Sequence, residues 1–257
     1  MIQSIDRAAG ILQLLQGARR LGISELAAGM DLPPSTVHGL VKSLQSHGLV
    51  VQETGGNRYG LGPALLKLSS VYLDTLDVRS RSIRWMHELS GRTGAATRLG
   101  VELFGEVIVI HHERRPDGTE QMPETGVTIP SHASALGKVL LAYDSAHADD
   151  VLSRPLASLT AETIVDPAAL LRVFDGVRMT ALGLEHEEAV IGESSMAMPI
   201  VADGHSVVAA LAVVVPADEW PVAGSVETEL RMAARTISRE LGARSWPPAG
   251  GSQNSRL

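Results

Sequence analysis

The chain has 257 residues, of which 44% are apolar and 3% aromatic, so it can form two domains with largely aliphatic cores. It contains no cysteine, which excludes disulfides, thiolate metal sites and cysteine nucleophiles. The formal net charge is −7, but residues 1–62 carry five basic and four acidic side chains. A near-neutral N-terminal part therefore precedes an acidic part that is poorly suited to contact phosphates.

Targeting signals are not apparent in the sequence. Residues 1–10 lack a basic region followed by an apolar segment, and no apolar run approaches the roughly 20 residues that span a bilayer. We therefore expect a cytoplasmic location and no membrane partner.

Three helices and a hairpin are predicted in residues 1–62. Ser4 is expected to cap the first helix, which ends near Gly17, and Ser24 is expected to cap a short second helix. A turn over 31–34 leads into a third helix. Its buried face is formed by Val37, Leu40, Val41 and Leu44, at i, i+3, i+4 and i+7. Two short strands flank a Gly-Gly turn at 54–57, which completes the layout of a winged helix-turn-helix.

The polar face of the third helix carries small hydrogen-bonding groups and one full positive charge. Its members are Ser35, Thr36, His38, Gly39, Lys42 and Ser43. A helix in this position fits the major groove and presents its N-terminal residues to base edges. Lys42 and Arg58 are better placed for phosphates, and Ser24 completes the predicted DNA-contacting set. The same spacing fits a three-helix surface domain with a polar outer face, so that alternative stays open.

A helical connector is predicted over 63–77, followed by an α+β domain over 78–244 and a disordered tail over 245–257. Apolar residues on one face of the connector are Leu65, Leu68, Val71 and Tyr72. Within the domain, strands are predicted at 96–101, 106–113, 194–201 and 206–215, and helices at 134–144, 168–182 and 226–241.

Five segments, in this order, resemble the IclR family of bacterial transcription regulators over residues 1–245. They are QSIDRAAGILQLL, LGISELAAGMDLPPSTVHGLVKSLQSHGLV, NRYGLGPALLKL, IPSHASALGKVLLAY and GLEHEEAVIGESSMAMPI. The N-terminal half, including STVHG and YLD, is most similar to the glycerol-operon branch of that family in actinomycetes.

The resemblance implies an N-terminal winged helix-turn-helix and a GAF-like effector-binding domain, in a homodimer or tetramer that binds double-stranded operator DNA. It implies a repressor without a cofactor, controlled by a small organic acid or a metabolite like glycerol 3-phosphate. The family often has a basic residue at the position of Pro34 and Arg at that of Gly39. Each lost phosphate contact lowers the salt dependence of log K by about one unit, so modest non-specific DNA affinity is expected.

The same resemblance places the effector pocket at Ala135, Leu136, Gly137, Glu185, Ser195, Ala212 and Val214. The turn at Ala135 and Leu136 starts a helix whose N-terminus could hold a carboxylate or phosphate. Glu185, in the segment that resembles the family's acidic loop, matches an acidic pocket residue ten positions before Ser195. Ala212 and Val214 stand where some relatives have serines, so that wall should be less polar, which argues against a glyoxylate-like ligand. Ordinary strand packing for Ser195 and helix capping for Ser134 are equally compatible with the sequence.

Enzyme motifs are incomplete in this chain. HEEAV at His186 has Val190 where a metalloprotease helix needs its second histidine. SALGK at Ser134 has the wrong spacing for S-x-x-K. No catalytic residue is predicted. A sensor or protein-interaction module without DNA binding is the main alternative to a regulator, and a hydrolase is a weaker one.

No metal site is predicted. His111 and His112 are adjacent in a strand, so their side chains point to opposite faces and cannot easily share an ion. Lys138 is expected to lie along a helix surface with its ammonium group in water.

Overall fold

The computed structural model describes residues 2–248, which form two compact units. The first unit ends at Thr75 and the second begins at Leu76. No helix among the described residues is both long and apolar enough to cross a membrane.

The first unit combines helices with a small antiparallel sheet. Its helices are α1 (Gln3–Ala18), α2 (Ile23–Met30), α3 (Pro34–Ser46) and α4 (Ala64–Asp74). Its strands are β1 (Leu21–Gly22), β2 (Val50–Gln52) and β3 (Arg58–Leu61), in the order β1-β3-β2. The predicted helix-turn-helix and wing are confirmed. Strand β1 was not predicted, because two residues leave no periodic pattern.

The core of the first unit comes from the apolar faces of α1, α2 and α3, closed by the wing. Its largest buried members are Ile11, Leu15, Leu26, Val37, Val41, Leu44, Val50 and Tyr59. Each fully buried aliphatic side chain contributes about 1.5–3 kcal/mol relative to exposure. This burial fixes which face of α3 remains for solvent.

Both N-caps predicted in the first unit are wrong. Helix α1 begins at Gln3, so Ser4 lies inside its first turn, and no side chain caps the helix. Helix α2 begins directly after Gly22, whose backbone N–H donates to Glu25 Oε2 at 2.7 Å. Ser24 therefore lies within the first turn of α2. A glutamate at the third helical position reaches back and satisfies the free amide, so no serine is needed as the cap.

The second unit is an α+β domain, as predicted. Its helices are α5 (Asp77–Thr93), α6 (Ala135–Tyr143), α7 (Ser145–Leu152), α8 (Pro167–Thr180) and α9 (Gly224–Glu240). Its strands are β4 (Ala96–Leu103), β5 (Glu106–Glu113), β6 (Thr128–Pro130), β7 (Gly183–His186), β8 (Glu193–Val201) and β9 (Val207–Pro216). The sheet is antiparallel in the order β6-β5-β4-β9-β8-β7. The short elements α7, β6 and β7 were missed, and the connector predicted over 63–77 also spans the turn between α4 and α5.

Helices α6, α7 and α8 pack with the sheet around one core, whereas α5 and α9 pack on each other and against β4 and β8. The main core includes Leu136 and Val139 from α6, and Leu170 and Phe174 from α8. Because α6 lies between the sheet and α8, all residues from Ala135 to Ala142 are buried.

We predicted disorder from residue 245 onward, and this prediction is wrong for Trp246. The Trp246 indole N–H donates to the Pro199 carbonyl at 2.9 Å, and Arg231 lies over the ring at 5.7 Å. Strand β7 pairs with β8 only as far as Ala197, so Pro199 lies where the edge of β8 is open to the indole. The sequence composition around this tryptophan misled the prediction. Residues 249–257 lie outside the described residues.

Candidate DNA-contacting face and effector pocket

Helix α3 presents the predicted polar face to solvent. Ser35, His38, Gly39, Lys42 and Ser43 are exposed, and Thr36 is half-buried. The helix starts at Pro34, where the missing N–H costs no helical hydrogen bond. Its first turn is therefore free to approach base edges.

Two basic side chains around the wing already have acidic partners within the first unit. Arg58 on β3 lies 3.2 Å from a carboxylate oxygen of Glu25 on α2, and Arg20 is ion-paired with Glu53. Ser24 is exposed close to Glu25 in sequence. An exposed ion pair is worth at most about 1 kcal/mol, so a phosphate could replace Glu25 at Arg58. Lys42 takes part in no ion pair among the described residues.

No contact within the first unit requires a glycine at position 39 of α3, and the same holds for Gly17 of α1. A Cβ built at either position would meet no described atom within 4 Å. Glycine in a helix interior costs about 0.8–1 kcal/mol relative to alanine. Close approach of the backbone to a ligand is one physical reason to keep glycine in such a place.

The second unit encloses a small cavity between α6 and the sheet. It leaves only ≈ 10 Å³ for the centre of a water molecule, which is room for about one water. Five residues of the predicted effector site line it: Leu136, Glu185, Ser195, Ala212 and Val214. Five further lining residues were not predicted as effector contacts: Arg98, Ile129, Ser134, Ala189 and Glu193.

The predicted residues Ala135 and Gly137 are not among those that line the cavity. The amide of Gly137 donates to Ser134 Oγ at 3.1 Å, so Ser134 caps α6 and occupies part of the predicted anion cradle. A Cβ on Gly137 would lie 2.2 Å from Ser131 Cα. Gly137 therefore permits close packing of α6 and does not face the cavity.

Glu185 forms the acidic centre of the cavity. It lies on β7 directly opposite Ser195, and not in a loop as expected, because β7 was too short to predict. Its Oε2 accepts the Ser195 hydroxyl at 2.8 Å, and its Oε1 accepts the amides of Glu188 at 2.8 Å and Ala189 at 3.4 Å. Burial raises the pKa of the Glu185 carboxyl in spite of these hydrogen bonds.

Arg98 is a charged group of the cavity wall that the sequence pattern did not reveal. It is 8% exposed, and Glu193 accepts from it with both oxygens, at 2.6 and 2.7 Å. Glu124 also accepts with both oxygens, one of them at 2.7 Å. Burial works against the charge of Arg98, but the hydrogen bonds to Glu193 and Glu124 outweigh it and raise its pKa. An arginine inside the otherwise apolar strand ATRLGV was the signal that could have revealed it, because a buried charge needs partners.

Lys138 does not reach water, so that prediction is wrong. Its side chain is 1% exposed, and its ammonium group donates to the Leu184 carbonyl at 3.0 Å and is ion-paired with the Glu188 carboxylate. The reason is that α6 is covered on all sides and offers no surface along which the side chain could extend. Lys138 ties α6 to β7 and to the loop that follows it.

The near-miss enzyme motifs do not assemble a catalytic arrangement. His186 ends strand β7, so HEEAV is not on a helix. Its Nδ1 lies 2.7 Å from Ser194 Oγ, but Ser194 is fully buried. His111 lies 3.1 Å from a carboxylate oxygen of Glu113. Over residues 2–248 we find no group of three or more His, Asp or Glu side chains that could hold a metal ion.

The first unit is thus a winged helix-turn-helix whose third helix exposes a polar face, and the second encloses a small cavity lined by charged and apolar residues, an organisation that is typical of ligand-responsive DNA-binding proteins. Residues 4–54 match the IclR helix-turn-helix domain, and residues 70–239 match the bacterial transcriptional regulator IclR C-terminal domain. The chain belongs to the IclR family and is a DNA-binding transcription regulator.

Curated relatives and a solved structure agree with this assignment over nearly the full length. The chain is 39% identical to the glycerol operon regulatory protein of Streptomyces griseus, over 94% of this chain and 97% of that one. It is 36% identical to the protein of the same name from Streptomyces coelicolor, with the same coverage. An IclR transcriptional regulator from Silicibacter sp. superposes with a TM-score of 0.81 at 28% identity, covering 95% of this chain and 98% of that one.

Proposed function

We propose that this protein is a cytoplasmic, non-enzymatic repressor that leaves its operator when a small metabolite enters the cavity of the second unit. Residues 1–62 would read DNA, 63–77 would connect, and 78–244 would sense the metabolite without a cofactor. The observation that carries the proposal is the exposed polar face of α3, which is held outward by the burial of Val37, Val41 and Leu44.

The proposed contacts differ in what they read. Ser35, Thr36 and His38 lie in the first turns of α3 and would contact base edges. Gly39 would let the backbone approach the groove. The remaining proposed contacts, which would position the unit on phosphates, are Ser24, Lys42, Ser43 and Arg58.

We propose a homodimer, which can assemble further into a tetramer. Leu66, Leu68, Val71 and Tyr72 on α4 are all more than half exposed, and so are Ile2 and Ile5 at the start of α1. Apolar side chains exposed this extensively are typical of an interaction surface. Pairing through α1 and α4 would place two copies of α3 on two half-sites related by a two-fold axis.

The effector is proposed to be a small organic acid or a phosphorylated polyol such as glycerol 3-phosphate. The names of the Streptomyces relatives support a glycerol-related metabolite. The residues proposed to contact it are those predicted residues that line the cavity: Leu136, Glu185, Ser195, Ala212 and Val214. Binding would change the spacing of the two recognition helices. A coupling free energy of about 1–3 kcal/mol would change operator affinity about 5–150-fold.

The first experiment is a fluorescence anisotropy titration of the purified protein. The probes are its own upstream DNA and a scrambled duplex, at two salt concentrations, with and without glycerol 3-phosphate. Preference for the upstream DNA that is lost with the ligand supports the proposal. Preference without a ligand effect supports the regulator and rejects this effector.

Two variants test the roles assigned on α3. Thr36→Ala should alter the preference among operator sequences, because it removes a base-edge contact. Lys42→Ala should weaken all sequences about equally and reduce the salt slope by about one unit. If the two variants behave alike, the assignment of these roles is wrong.

A sensor module whose first unit binds protein is the second candidate. The observation that favours it is the pairing of Arg58 and Arg20 with acidic neighbours, which reduces the free positive charge around the wing. Equal affinity for the two duplexes at both salt concentrations would favour this alternative.

A further inference from the structure

The guanidinium group of Arg98, which lines the cavity, is shared by two carboxylates: Glu193, which also lines the cavity, and Glu124, which adjoins Arg98 outside the lining. Its Nη1 and Nη2 face Glu193, with distances of 2.6 and 2.7 Å. Its Nε and Nη2 face Glu124, and the Nη2 contact is 2.7 Å. Both edges of the guanidinium fork are therefore occupied by side chains of the protein itself.

The two carboxylates are anchored very differently. Glu193 is the first residue of β8 and pairs with Pro216 across the sheet. Glu124 lies in a stretch without helix or strand between β5 and β6, although its side chain is 25% exposed and that of Glu193 is 26% exposed. Its neighbour Gly126 is tied to Val109 by a backbone hydrogen bond of 2.7 Å. Of the two carboxylates, Glu124 is therefore the one whose residue does not belong to a strand of the sheet.

His112 lies opposite Arg98 on the neighbouring strand and is buried, and its Nε2 lacks a hydrogen-bond partner among the described residues. Its side chain is 2% exposed. This Nε2 lies 3.7 Å from Glu124 Oε2, beyond hydrogen-bonding distance. Burial lowers the pKa of His112, which favours the neutral ring with one N–H donor and one acceptor nitrogen.

The cavity has room for about one water, so an effector needs additional space beside Arg98, such as that filled by the neighbouring Glu124 side chain. We propose that Glu124 is an internal competitor, and that the carboxylate or phosphate of the effector takes its place on the Nε and Nη2 edge of Arg98. This inference rests on the proposed effector function of the second unit. It adds Arg98 as the residue that recognises the anion and Glu124 as the group that the anion displaces.

Charge and geometry both favour an exchange over simple addition. Arg98 pairs with Glu124 and Glu193, and Glu185 lines the same cavity, so an added anion would meet an excess of negative charge. An exchange keeps the number of anionic groups that pair with Arg98 at two, because the anion of the effector replaces the Glu124 carboxylate. The vacated edge offers two parallel N–H donors, which suit two oxygens of one carboxylate or phosphate.

The test is calorimetric titration of the full chain without DNA, using three probes with the same three-carbon skeleton. Glycerate carries a carboxylate, glycerol 3-phosphate carries a phosphate, and glycerol is neutral. Glu124→Gln should bind one or both anions at least about tenfold more tightly than the wild type, because the competing charge-assisted hydrogen bonds are weakened. Its affinity for glycerol should stay within about threefold of the wild type. The anion whose affinity rises more shows whether the site prefers a carboxylate or a phosphate.

Glu193→Gln is the matched control, since it removes the same charge from the opposite edge of Arg98. It should not tighten either anion, because Glu124 then holds Arg98 without competition. Equal tightening in both variants would mean only a general loss of negative charge and would overturn the proposal. The proposal would also be overturned if neither anion bound to Glu124→Gln or to Glu124→Ala while their circular dichroism spectra were unchanged. Loss of DNA binding in the anisotropy assay would instead reject the proposed function, so the two failures can be distinguished.

Discussion

Replacing Lys138 with methionine should destabilise the second unit strongly. The change keeps the length of the side chain but removes the charge that faces Glu188. That carboxylate has a side chain only 10% exposed, and its Oε2 has no hydrogen-bond partner among the described residues. Leaving such a charge unpaired typically costs about 3–5 kcal/mol. The Leu184 carbonyl also loses its donor.

The free energy of unfolding of this unit can be measured selectively. All three tryptophans, Trp85, Trp220 and Trp246, lie in the second unit. Urea unfolding followed by tryptophan fluorescence therefore reports that unit alone. The expected result for Lys138→Met is a loss of about 3–5 kcal/mol with little change in the m-value.

The double variant Lys138→Met with Glu188→Met isolates the cause. Replacing a buried ion pair with apolar groups of similar size is often close to neutral, so most of the lost stability should return. The reasoning is refuted if the single variant loses less than about 1 kcal/mol, or if the double variant is no more stable than the single one.

Three further predictions concern other parts of the chain. Burial raises the pKa of the Glu185 carboxyl in the folded protein. The free energy of unfolding therefore falls as the pH rises from the unfolded pKa of about 4.3 to the higher folded pKa, and below about 4.3 there is no such loss. Glu185→Gln should therefore match the wild type near pH 4 and exceed it in urea stability near pH 8, and an advantage confined to acid would contradict this. Gly39→Ala should raise the stability of the first unit by about 0.8–1 kcal/mol in thermal unfolding and weaken operator binding; unchanged binding would show that Gly39 does not face DNA. Trp246→Phe should cost the second unit about 1 kcal/mol, measured by circular dichroism in urea, because the hydrogen bond to Pro199 is lost while ring packing is kept.

Elements with a long periodic pattern could be predicted from the sequence. The apolar spacing of α3 and the runs of β8 and β9 record burial directly, because helices and strands repeat over a few residues. Because the repeat of a helix extends over only a few residues, apolar spacing alone was sufficient to assign the solvent-facing side of α3. Two-residue β1 and four-residue β7 carry too few positions for a pattern, so Glu185 was placed in a loop.

The charged interior could not be predicted in the same way, because its partners are distant in sequence. Lys138 meets a carboxylate 50 residues away, and Arg98 meets one 95 residues away. No local pattern records which charges will meet in the folded chain. The general preference of lysine for water therefore gave the wrong expectation for Lys138. The resemblance identified Glu185 and Ser195 as lining residues but gave no indication of Arg98.

The nearly filled cavity has a consequence for the timing of gene control. If the proposed effector binds in this cavity, which has room for about one water, the site must open before binding. The observed association rate should therefore rise with metabolite concentration at first and then level off at the opening rate. Beyond that plateau, the delay before the promoter responds is set by the protein and not by the amount of metabolite. A metabolite pulse shorter than the opening time would pass without changing transcription.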